Sequence, residues 1–420
     1  MSTKQVSFIF HFYQPSIQTK AVFKQVFDTC YNPLIKLIKL KKDMSFTFNM
    51  PLSFLELVDK YGYTDWLADV RKLHDVGIIE FVGSAAYHCL LTTVPERLAI
   101  EEIILNEYGL GYYLGKTTGF EGEKAVVLKN LNGFFAPELA SNNELCYMLE
   151  SLGYKWLLID SCATPSVVKD KDAYLHTSGI KILVRDTEIS NKIAFYRGYK
   201  VDEVFNLFTH STRKEITLAF DAETFGHHNK DGILFLDSLL DKLEGSEEFK
   251  VAKATDAVLY LGSKIDRDVT AKSYDIVSAS WGASKTDVQG GNFLPFWKND
   301  SNELQSHINK LLQYLHSLYV GLPSLTYENN EFANMPFWKE ELRAKIKDDE
   351  LRQFLFKQLS LMKLIASDFL WWASGKKLYS GAIVYDAPVL HKFIALALAY
   401  GEYTKDNSIK ELCEKISANL

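Results

Sequence analysis

Two carboxylates and two imidazoles lie within eight residues of one another at the end of an apolar run. They are Asp221, Glu223, His227 and His228. Burying a charge is costly unless the charge is paired or used, and a carboxyl at such a place can transfer protons in a reaction. Asp221 could instead cap the next helix, with His227 in an ordinary loop, but the clustering favours the catalytic interpretation. If the strand continues past Asp221, alternation places Asp221 and Glu223 on the same side.

A third carboxylate follows another apolar run. Glu138 comes directly after residues 133–137, and Pro137 disfavours a helical conformation for Ala136. Glu138 is therefore expected at the end of a strand. The alternative is a glutamate in the first turn of the following helix, where the positive end of the helix dipole favours acidic residues.

Two further strand ends carry a histidine. His11 begins the stretch 11–15, which also contains Gln14, and His88 ends the stretch 83–88. Imidazole and amide groups there can hydrogen-bond sugar hydroxyls without adding net charge. A single histidine in a strand is more often structural.

The composition of the 420-residue chain limits its partners. With 53 acidic and 47 basic residues the formal net charge is -6, so the overall charge does not attract nucleic acid and a neutral substrate is expected. The five cysteines are widely spaced and include no C-x-x-C pair, which indicates neither a disulfide framework nor a zinc knuckle. We find no pattern of a signal peptide or a membrane span and expect a cytoplasmic protein.

These residues need a scaffold that brings strand ends together. Short β-branched and aromatic runs alternate with helical stretches, which is typical of βα units and a parallel sheet. In a barrel of parallel strands the carboxyl ends face the active site. Strands are predicted at 6–11, 45–50, 78–83, 133–138, 155–160, 182–186, 216–221 and 274–279, and their ends would bring His11, Asn49, Ser84, Glu138, Asp160, Asp186 and Asp221 to one mouth.

Beyond about residue 300 the strand pattern stops. Amphipathic helices are predicted at 302–318, 339–373, 387–403 and 409–418, in addition to helices between the strands at 22–39, 95–114, 142–152 and 232–243. The segment 282–300, rich in Gly, Asn and Asp, is predicted as a long loop, in or beside which Trp281 and Trp297 would either stack on sugars or anchor the loop. We predict a barrel domain over 1–280, a connecting loop over 281–300 and a helical domain over 301–420.

The stretches 11–15, 83–88, 134–140, 221–227 and 366–372 resemble, in order, the five short regions of glycoside hydrolase family 57, an α-glucan-active family. The resemblance implies an α/β fold, an incomplete (β/α)7 barrel of parallel strands followed by a C-terminal helical domain that covers the cleft. It assigns the nucleophile to Glu138 and the acid/base to Asp221. Tyr13 stands where the family pattern has a second histidine, which alters a wall of the subsite where the bond is cut.

Other positions in these regions are expected to bind substrate. The fifth region puts Asp368 and Trp371 on one helix face, although Trp371 and Trp372 can equally be core residues. Arg185 and Asp186 resemble a pair that follows the sixth strand in many members. Substrate contacts are accordingly predicted for His11, Gln14, His88, Glu223, His227, Trp281, Asp368 and Trp371.

The resemblance implies double displacement with retention. Glu138 would attack the anomeric carbon while Asp221 protonates the leaving oxygen, with the two carboxyls about 5 to 5.5 Å apart and no cofactor or metal. Asp221 needs a raised pKa, expected from burial and from the charges of Glu138 and Glu223. The substrate would be an α-glucan or malto-oligosaccharide that is either hydrolysed or, in a 4-α-glucanotransferase, passed to another sugar.

Two other classes stay open. A metal-dependent polysaccharide deacetylase or zinc mannosidase has a barrel of this kind, and it would need His11, His88, Asp221 and His227 to converge on a metal. The non-enzymatic alternative is a glucan-binding protein without activity, since a fold does not determine a function. The presence of both Glu138 and Asp221 argues against it.

Overall fold

The computed structural model describes residues 3–115, 131–168, 171–195, 198, 200–265, 272–299, 301–324, 336–377 and 383–420. It has an α/β fold in which helices surround mostly parallel strands. Within the described ranges the strands are β1 (Lys4–His11), β2 (Phe46–Asn49), β3 (Ile79–Val82), β4 (Gly133–Phe135), β5 (Trp156–Ile159), β6 (Ala173–Leu175), β7 (Lys181–Val184), β8 (Glu215–Asp221) and β9 (Phe249–Val251).

The strands form two sheets that are joined at both ends. One sheet has the order β3-β2-β1-β8, with β9 also paired to β1, and the other has the order β4-β5-β7-β6. A parallel bridge between Gly83 and Phe134 joins β3 to β4, and another between Arg185 and Thr217 joins the end of β7 to β8. Seven parallel strands are therefore connected in the cyclic order β1-β2-β3-β4-β5-β7-β8, which is consistent with the predicted (β/α)7 arrangement.

Seven of the eight predicted strands occur within a few residues of their predicted bounds. The eighth, at 274–279, is wrong: this segment is irregular, and only Ala279 forms a bridge, with Ser141. The strands β6 and β9 were not predicted. Each has three residues, which is too short for an alternating pattern to stand out from a loop.

The helices of the first 300 residues follow the strands. The predicted helix 22–39 is interrupted by a π-helical turn at Phe27–Tyr31. In the described part of this region the α-helices are Lys20–Val26, Asn32–Leu40, Leu52–Lys60, Thr64–Asp75, Glu96–Leu114, Asn143–Ser151, Thr187–Phe195, Val201–His210, Gly232–Glu244, Ala254–Ile265 and Lys285–Gln289.

The regular elements described after residue 301 are all helices: Glu303–Gly321, Glu340–Arg343, Asp349–Leu364, Asp368–Trp372, Ala387–Thr404 and Asn407–Ser417. The single predicted helix 339–373 is wrong, because the chain breaks twice within it. The side chain of Asp348 caps the second of the three helices by accepting from Leu351 N. No helix in the described ranges is long and apolar enough to cross a membrane.

The predicted loop 282–300 contains one short helix, Lys285–Gln289, which starts with a capping box of Ser284 and Asp287. Trp297 is buried, and its ring contacts that of Phe296, so Trp297 anchors the loop. Asp300, the predicted end of the loop, lies outside the described residues.

Strand alternation divides β1 between two cores. Phe8 and Phe10 pack with aromatic rings of neighbouring strands, for example Phe220 at 6.2 to 6.3 Å between centroids, and burying each such side chain stabilises the fold by about 1.5–3 kcal/mol. Ile9 points the other way, into a smaller cluster that includes Phe135. His11 follows Ile9 by two residues, so it lies on this inner face at the carboxyl end of the strand.

Candidate active site

Polar side chains form a layer at the carboxyl ends of the strands. His11 of β1 is in register with Asn49 of β2 and with Asp221 of β8. Arg185 directly follows β7 and Asp160 directly follows β5, and these two side chains form a buried ion pair at 2.8 Å. The expected convergence of strand ends is thus present for His11, Asn49, Asp160 and Asp221, and Arg185, the residue before the predicted Asp186, joins them.

Glu138 follows β4 in a tight turn, Pro137–Leu139, with φ 59° and ψ 15°. A non-glycine residue in this left-handed region costs about 1 kcal/mol or more. The turn is held by Trp281, whose backbone N donates to Glu138 O at 3.0 Å. The interpretation of Glu138 as a first-turn helix residue is wrong, because the next helix, Asn143–Ser151, begins five residues later.

Both carboxylate oxygens of Glu138 accept hydrogen bonds. Trp281 Nε1 donates to Oε2 at 2.8 Å, and Ser367 Oγ lies 3.0 Å from Oε1. An indole N–H can only donate, so the Trp281 contact favours an ionised Glu138. Of the two tryptophans beside the loop, Trp281 therefore lies in the pocket.

Asp221 ends β8, and a 3-10 turn, Ala222–Thr224, follows it. The strand does not continue past Asp221, so alternation is not what brings Glu223 beside it. The turn does so instead, and Glu223 Oε1 accepts hydrogen bonds from Tyr31 Oη at 2.8 Å and from Gln14 Nε2. Asp221 does not cap the next helix, which begins at Gly232.

His227 and His228 lie in a turn closed by their backbone N–H groups, which both donate to Glu223 O at 3.2 and 2.9 Å. Gly226 precedes them with φ 109°. Among the described residues, Glu223, His227 and His228 form the group of possible metal ligands whose donor atoms lie within 4.8 Å of one another. The set His11, His88, Asp221 and His227, which the metal-dependent alternative needs, does not form such a group.

His11 and His88 are buried and face each other, with their Nε2 atoms 3.2 Å apart. His11 Nδ1 lies 2.5 Å from Asn49 Oδ1, and His88 Nδ1 lies 2.9 Å from Ser367 Oγ. All four ring nitrogens are thus engaged within the protein. His88 also has a left-handed backbone, with φ 61°.

Tyr13, the residue that departs from the family pattern, has two contacts in the pocket. Its ring stacks on that of His88 with 3.9 Å between centroids, and its hydroxyl donates to Asp368 Oδ2. Tyr13 therefore joins the first strand to the helical region of the chain.

Residues beyond 365 reach this pocket through a strand-like contact. Cys89 and Ala366 form an antiparallel bridge, and Ser367 N donates to His88 O at 3.0 Å. Asp368 lies in the pocket beside Tyr13. Trp371 is half-buried; its backbone N donates to Ser367 O at 3.2 Å, and its ring meets that of Trp372 at 4.6 Å.

Burial raises the pKa values of the carboxyls in the pocket. The pKa of Glu138 and that of Glu223 are raised to about 8, and those of Asp221 and Asp368 to about 6. For Asp221 the cause is burial, opposed by the charge of Arg185; the charges of Glu138 and Glu223, which we expected to contribute, are not among the causes. Instead, the charge of Asp221 raises the pKa of the two glutamates.

These pKa values are in the wrong order for the two roles. A nucleophile must be ionised while its partner acid is protonated, yet burial leaves Glu138 the weaker acid. Hydrogen bonds from Trp281 and Ser367 lower the pKa of Glu138 and so oppose burial. The hydrogen-bond donors around Glu138 are therefore decisive for any role as a nucleophile.

Sequence reasoning did not assign Ser367 or Tyr31 to the site, and it placed Asn49 at the mouth of the barrel without a role. Ser367 precedes Asp368 in the fifth region and so carried a signal. Tyr31 lies in the π-helical turn, where no local pattern identifies it.

A pocket with several half-buried carboxyls at the carboxyl ends of parallel strands is typical of a glycoside hydrolase. The family model described as glycosyl hydrolase family 57 matches residues 7–264. The chain belongs to this family. A comparison with curated protein sequences finds no significant match.

Solved structures share the fold at low sequence identity. A branching enzyme from Pyrococcus horikoshii has 14% identity and a TM-score of 0.65, over 99% of this chain and 94% of that one. An α-amylase from Thermotoga maritima has 13% identity and a TM-score of 0.64, over 100% and 96%. A 4-α-glucanotransferase from Thermococcus litoralis has 16% identity and a TM-score of 0.57, over 86% and 60%.

Proposed function

We propose that this protein is a retaining enzyme that acts on α-1,4-linked glucose polymers or malto-oligosaccharides, with Glu138 as the nucleophile and Asp221 as the acid/base. The observation that carries the proposal is the environment of the two carboxyls. Glu138 accepts a hydrogen bond at each oxygen, and Asp221 lies half-buried in the same pocket with its pKa raised to about 6. The two donors favour the anion of Glu138 against the burial that raises its pKa to about 8, and burial favours the protonated form of Asp221.

In the proposed reaction Glu138 attacks the anomeric carbon and forms a glycosyl ester, while Asp221 gives its proton to the leaving oxygen. Asp221 then takes a proton from water or from the hydroxyl of an acceptor sugar, which displaces Glu138. Gln14, Glu223, His227, Trp281, Asp368 and Trp371 stay predicted substrate contacts. His11 and His88 are proposed to support the nucleophile, since their ring nitrogens are engaged with other side chains.

Family membership and the net charge support a neutral α-glucan as the substrate. The similar structures include an α-amylase, a branching enzyme and a 4-α-glucanotransferase, so both hydrolysis and transfer to a sugar fit the proposal. Which one dominates depends on whether water or a sugar reaches the glycosyl enzyme first.

We further propose that residues 301–420 form a domain that covers the cleft of the barrel in 1–280. Ser367 and Asp368, which contact Glu138 and Tyr13, support this division. The five free cysteines, all within the described residues, suit the reducing cytosol that we expected.

The test is incubation of the purified protein with maltoheptaose, with and without EDTA, followed by chromatography of the products. Shorter products alone identify an amylase, longer linear products a glucanotransferase, and branched products a branching enzyme. Glu138→Gln and Asp221→Asn should each lose nearly all turnover. Glu150→Gln, a change of an exposed glutamate, is the matched control and should keep it.

Three outcomes would contradict the proposal. Substantial turnover by folded Glu138→Gln would remove the nucleophile assignment. Loss of activity in EDTA would favour the metal-dependent class, for which Glu223, His227 and His228 are the candidate ligands. Binding of maltoheptaose without turnover would favour the glucan-binding alternative.

A further inference from the structure

Four side chains form a hydrogen-bonded chain that leads from Glu138 into the protein; we call Asn49, His11, His88 and Ser367 the interior chain. Its contacts are Glu138 Oε1 to Ser367 Oγ at 3.0 Å, Ser367 Oγ to His88 Nδ1 at 2.9 Å, His88 Nε2 to His11 Nε2 at 3.2 Å and His11 Nδ1 to the Asn49 amide at 2.5 Å. Each of the four residues is at most 2% exposed. Water therefore does not compete for these contacts.

The donor and acceptor groups of the interior chain require all of its hydrogen bonds to run in the same direction. A neutral imidazole has one N–H and one acceptor nitrogen, and a hydroxyl has one hydrogen. If Ser367 donates to Glu138, then His88 must donate from Nδ1 to Ser367 and accept at Nε2 from His11. If Ser367 instead accepts from a protonated Glu138, every contact in the chain is reversed. Burial lowers the pKa of His11 to about 4 and that of His88 well below its usual value, so both rings are neutral near pH 7.

Asn49 can complete the chain in either direction. In one direction its amide nitrogen donates to His11 Nδ1, and in the other its amide oxygen accepts from it. The nitrogen of Asn49 has no other hydrogen-bond partner, so a half-turn of the amide breaks no second bond. An aspartate at this position could only accept.

We propose that the interior chain couples the tautomers of its two histidines to the charge of Glu138. When Glu138 is ionised, His11 carries its proton on Nε2 and His88 carries its proton on Nδ1. When Glu138 is protonated, His11 carries its proton on Nδ1 and His88 carries its proton on Nε2. The change releases one proton, from Glu138 to the pocket. The inference rests on the proposed role of Glu138 as the nucleophile, and it makes the four residues positioning residues that hold the carboxylate in its reactive charge state.

Other charged and titratable groups face the same carboxyl. The charges of Asp368 and Asp221 raise the pKa of Glu138, and the hydrogen bond from Trp281 lowers it. Tyr13 stacks on His88 and donates to Asp368. A test must therefore cut the contact between Glu138 and the histidines while these groups stay in place, which Ser367→Ala does.

The experiment follows the histidine tautomers by nitrogen-15 NMR from pH 5 to 9, on the whole protein labelled at histidine, with signals assigned through His11→Gln and His88→Gln. In the wild type both tautomers should change together, with the midpoint at the alkaline limb of kcat/KM for maltoheptaose, which Glu138 sets because its pKa lies above that of Asp221. In Ser367→Ala the tautomers should no longer follow this midpoint. The alkaline limb should move up by about one pH unit and kcat/KM below it should fall about tenfold, because Glu138 loses one of two donors. Ser367→Thr keeps the hydroxyl and should restore both properties.

Asn49→Asp is the second variant, checked for folding by circular dichroism. Because a carboxylate only accepts, it should hold the proton on His11 Nδ1 and also move the alkaline limb up. Tautomers that stay constant from pH 5 to 9 in the wild type, or an alkaline limb that Ser367→Ala leaves unchanged, would overturn the coupling. Tautomers that change together in a protein that turns over no glycoside would overturn the proposed function and leave the coupling standing.

Discussion

Removing the indole N–H of Trp281 tests whether direct donors keep Glu138 ionised. In Trp281→Phe the aromatic ring stays beside Arg185 and Phe135, but the 2.8 Å hydrogen bond to Glu138 Oε2 is lost. A hydrogen bond to a charged group contributes about 1.5–3 kcal/mol, and one pKa unit corresponds to about 1.4 kcal/mol. The pKa of Glu138 should therefore rise by about 1 to 2 units.

The sign of the effect on activity follows from the role of the carboxylate. Turnover needs ionised Glu138 together with protonated Asp221. Because the pKa of Glu138 lies above that of Asp221, the titration of Glu138 sets the alkaline limb of the profile of kcat/KM against pH, and only a small fraction of the enzyme is in the active state between the limbs. A pKa of Glu138 that is higher by about 1 to 2 units therefore lowers kcat/KM between the limbs about ten- to hundredfold and moves the alkaline limb to higher pH, while the acid limb stays in place. The assay is the initial rate of maltoheptaose conversion at low substrate between about pH 4 and 10.

Trp297→Phe is the matched control. Trp297 is a buried tryptophan of the neighbouring loop whose Nε1 has no hydrogen-bond partner among the described residues, so the same exchange removes no contact to a carboxylate. Its alkaline limb and its kcat/KM between the limbs should coincide with those of the wild type. An unchanged profile in folded Trp281→Phe would refute the argument that this donor sets the charge of Glu138.

Three further changes have definite expected outcomes. Tyr13→Phe removes the hydroxyl that donates to Asp368. KM for maltoheptaose should rise about tenfold, which corresponds to the loss of one hydrogen bond. An unchanged KM in steady-state kinetics would contradict a role of Asp368 in binding. Glu223→Gln should become more stable relative to the wild type as pH rises from 5 to 8. The folded-state pKa of Glu223 is raised to about 8, so the wild type loses the stabilising contribution of this group as pH rises through that value. Urea unfolding at both pH values measures the free energies of unfolding, and a difference between variant and wild type that stays constant contradicts the prediction. Gly226→Ala should lower the melting temperature more than Gly62→Ala. Both glycines have positive φ, but only at Gly226 would an added Cβ meet the backbone, 1.9 Å from Thr29 O. Equal decreases in melting temperature would contradict the predicted clash.

The carboxyl ends of the strands were predictable because the signal is local. An apolar, β-branched run that stops at a polar residue predicts both a strand and its end, as for His11 and Asp221, which the structure places in register. The breaks within 339–373 were not predictable in this way. They depend on the cap at Asp348 and on the pairing of Ala366 with Cys89, which is a contact between distant parts of the chain.

The sequence by itself indicated the family to which the chain belongs, and it identified Glu138 and Asp221 as the candidate catalytic carboxylates, one shortly after a strand and one at a strand end. Only the tertiary structure determined which side chains hydrogen-bond to Glu138. Glu138 takes its donors from Trp281, 143 residues further along the chain, and from Ser367, 229 residues further along. Local spacing cannot encode such contacts, because they arise only when the strands and the later helices pack together. The same packing keeps water from these carboxyls, and this burial raises their pKa values.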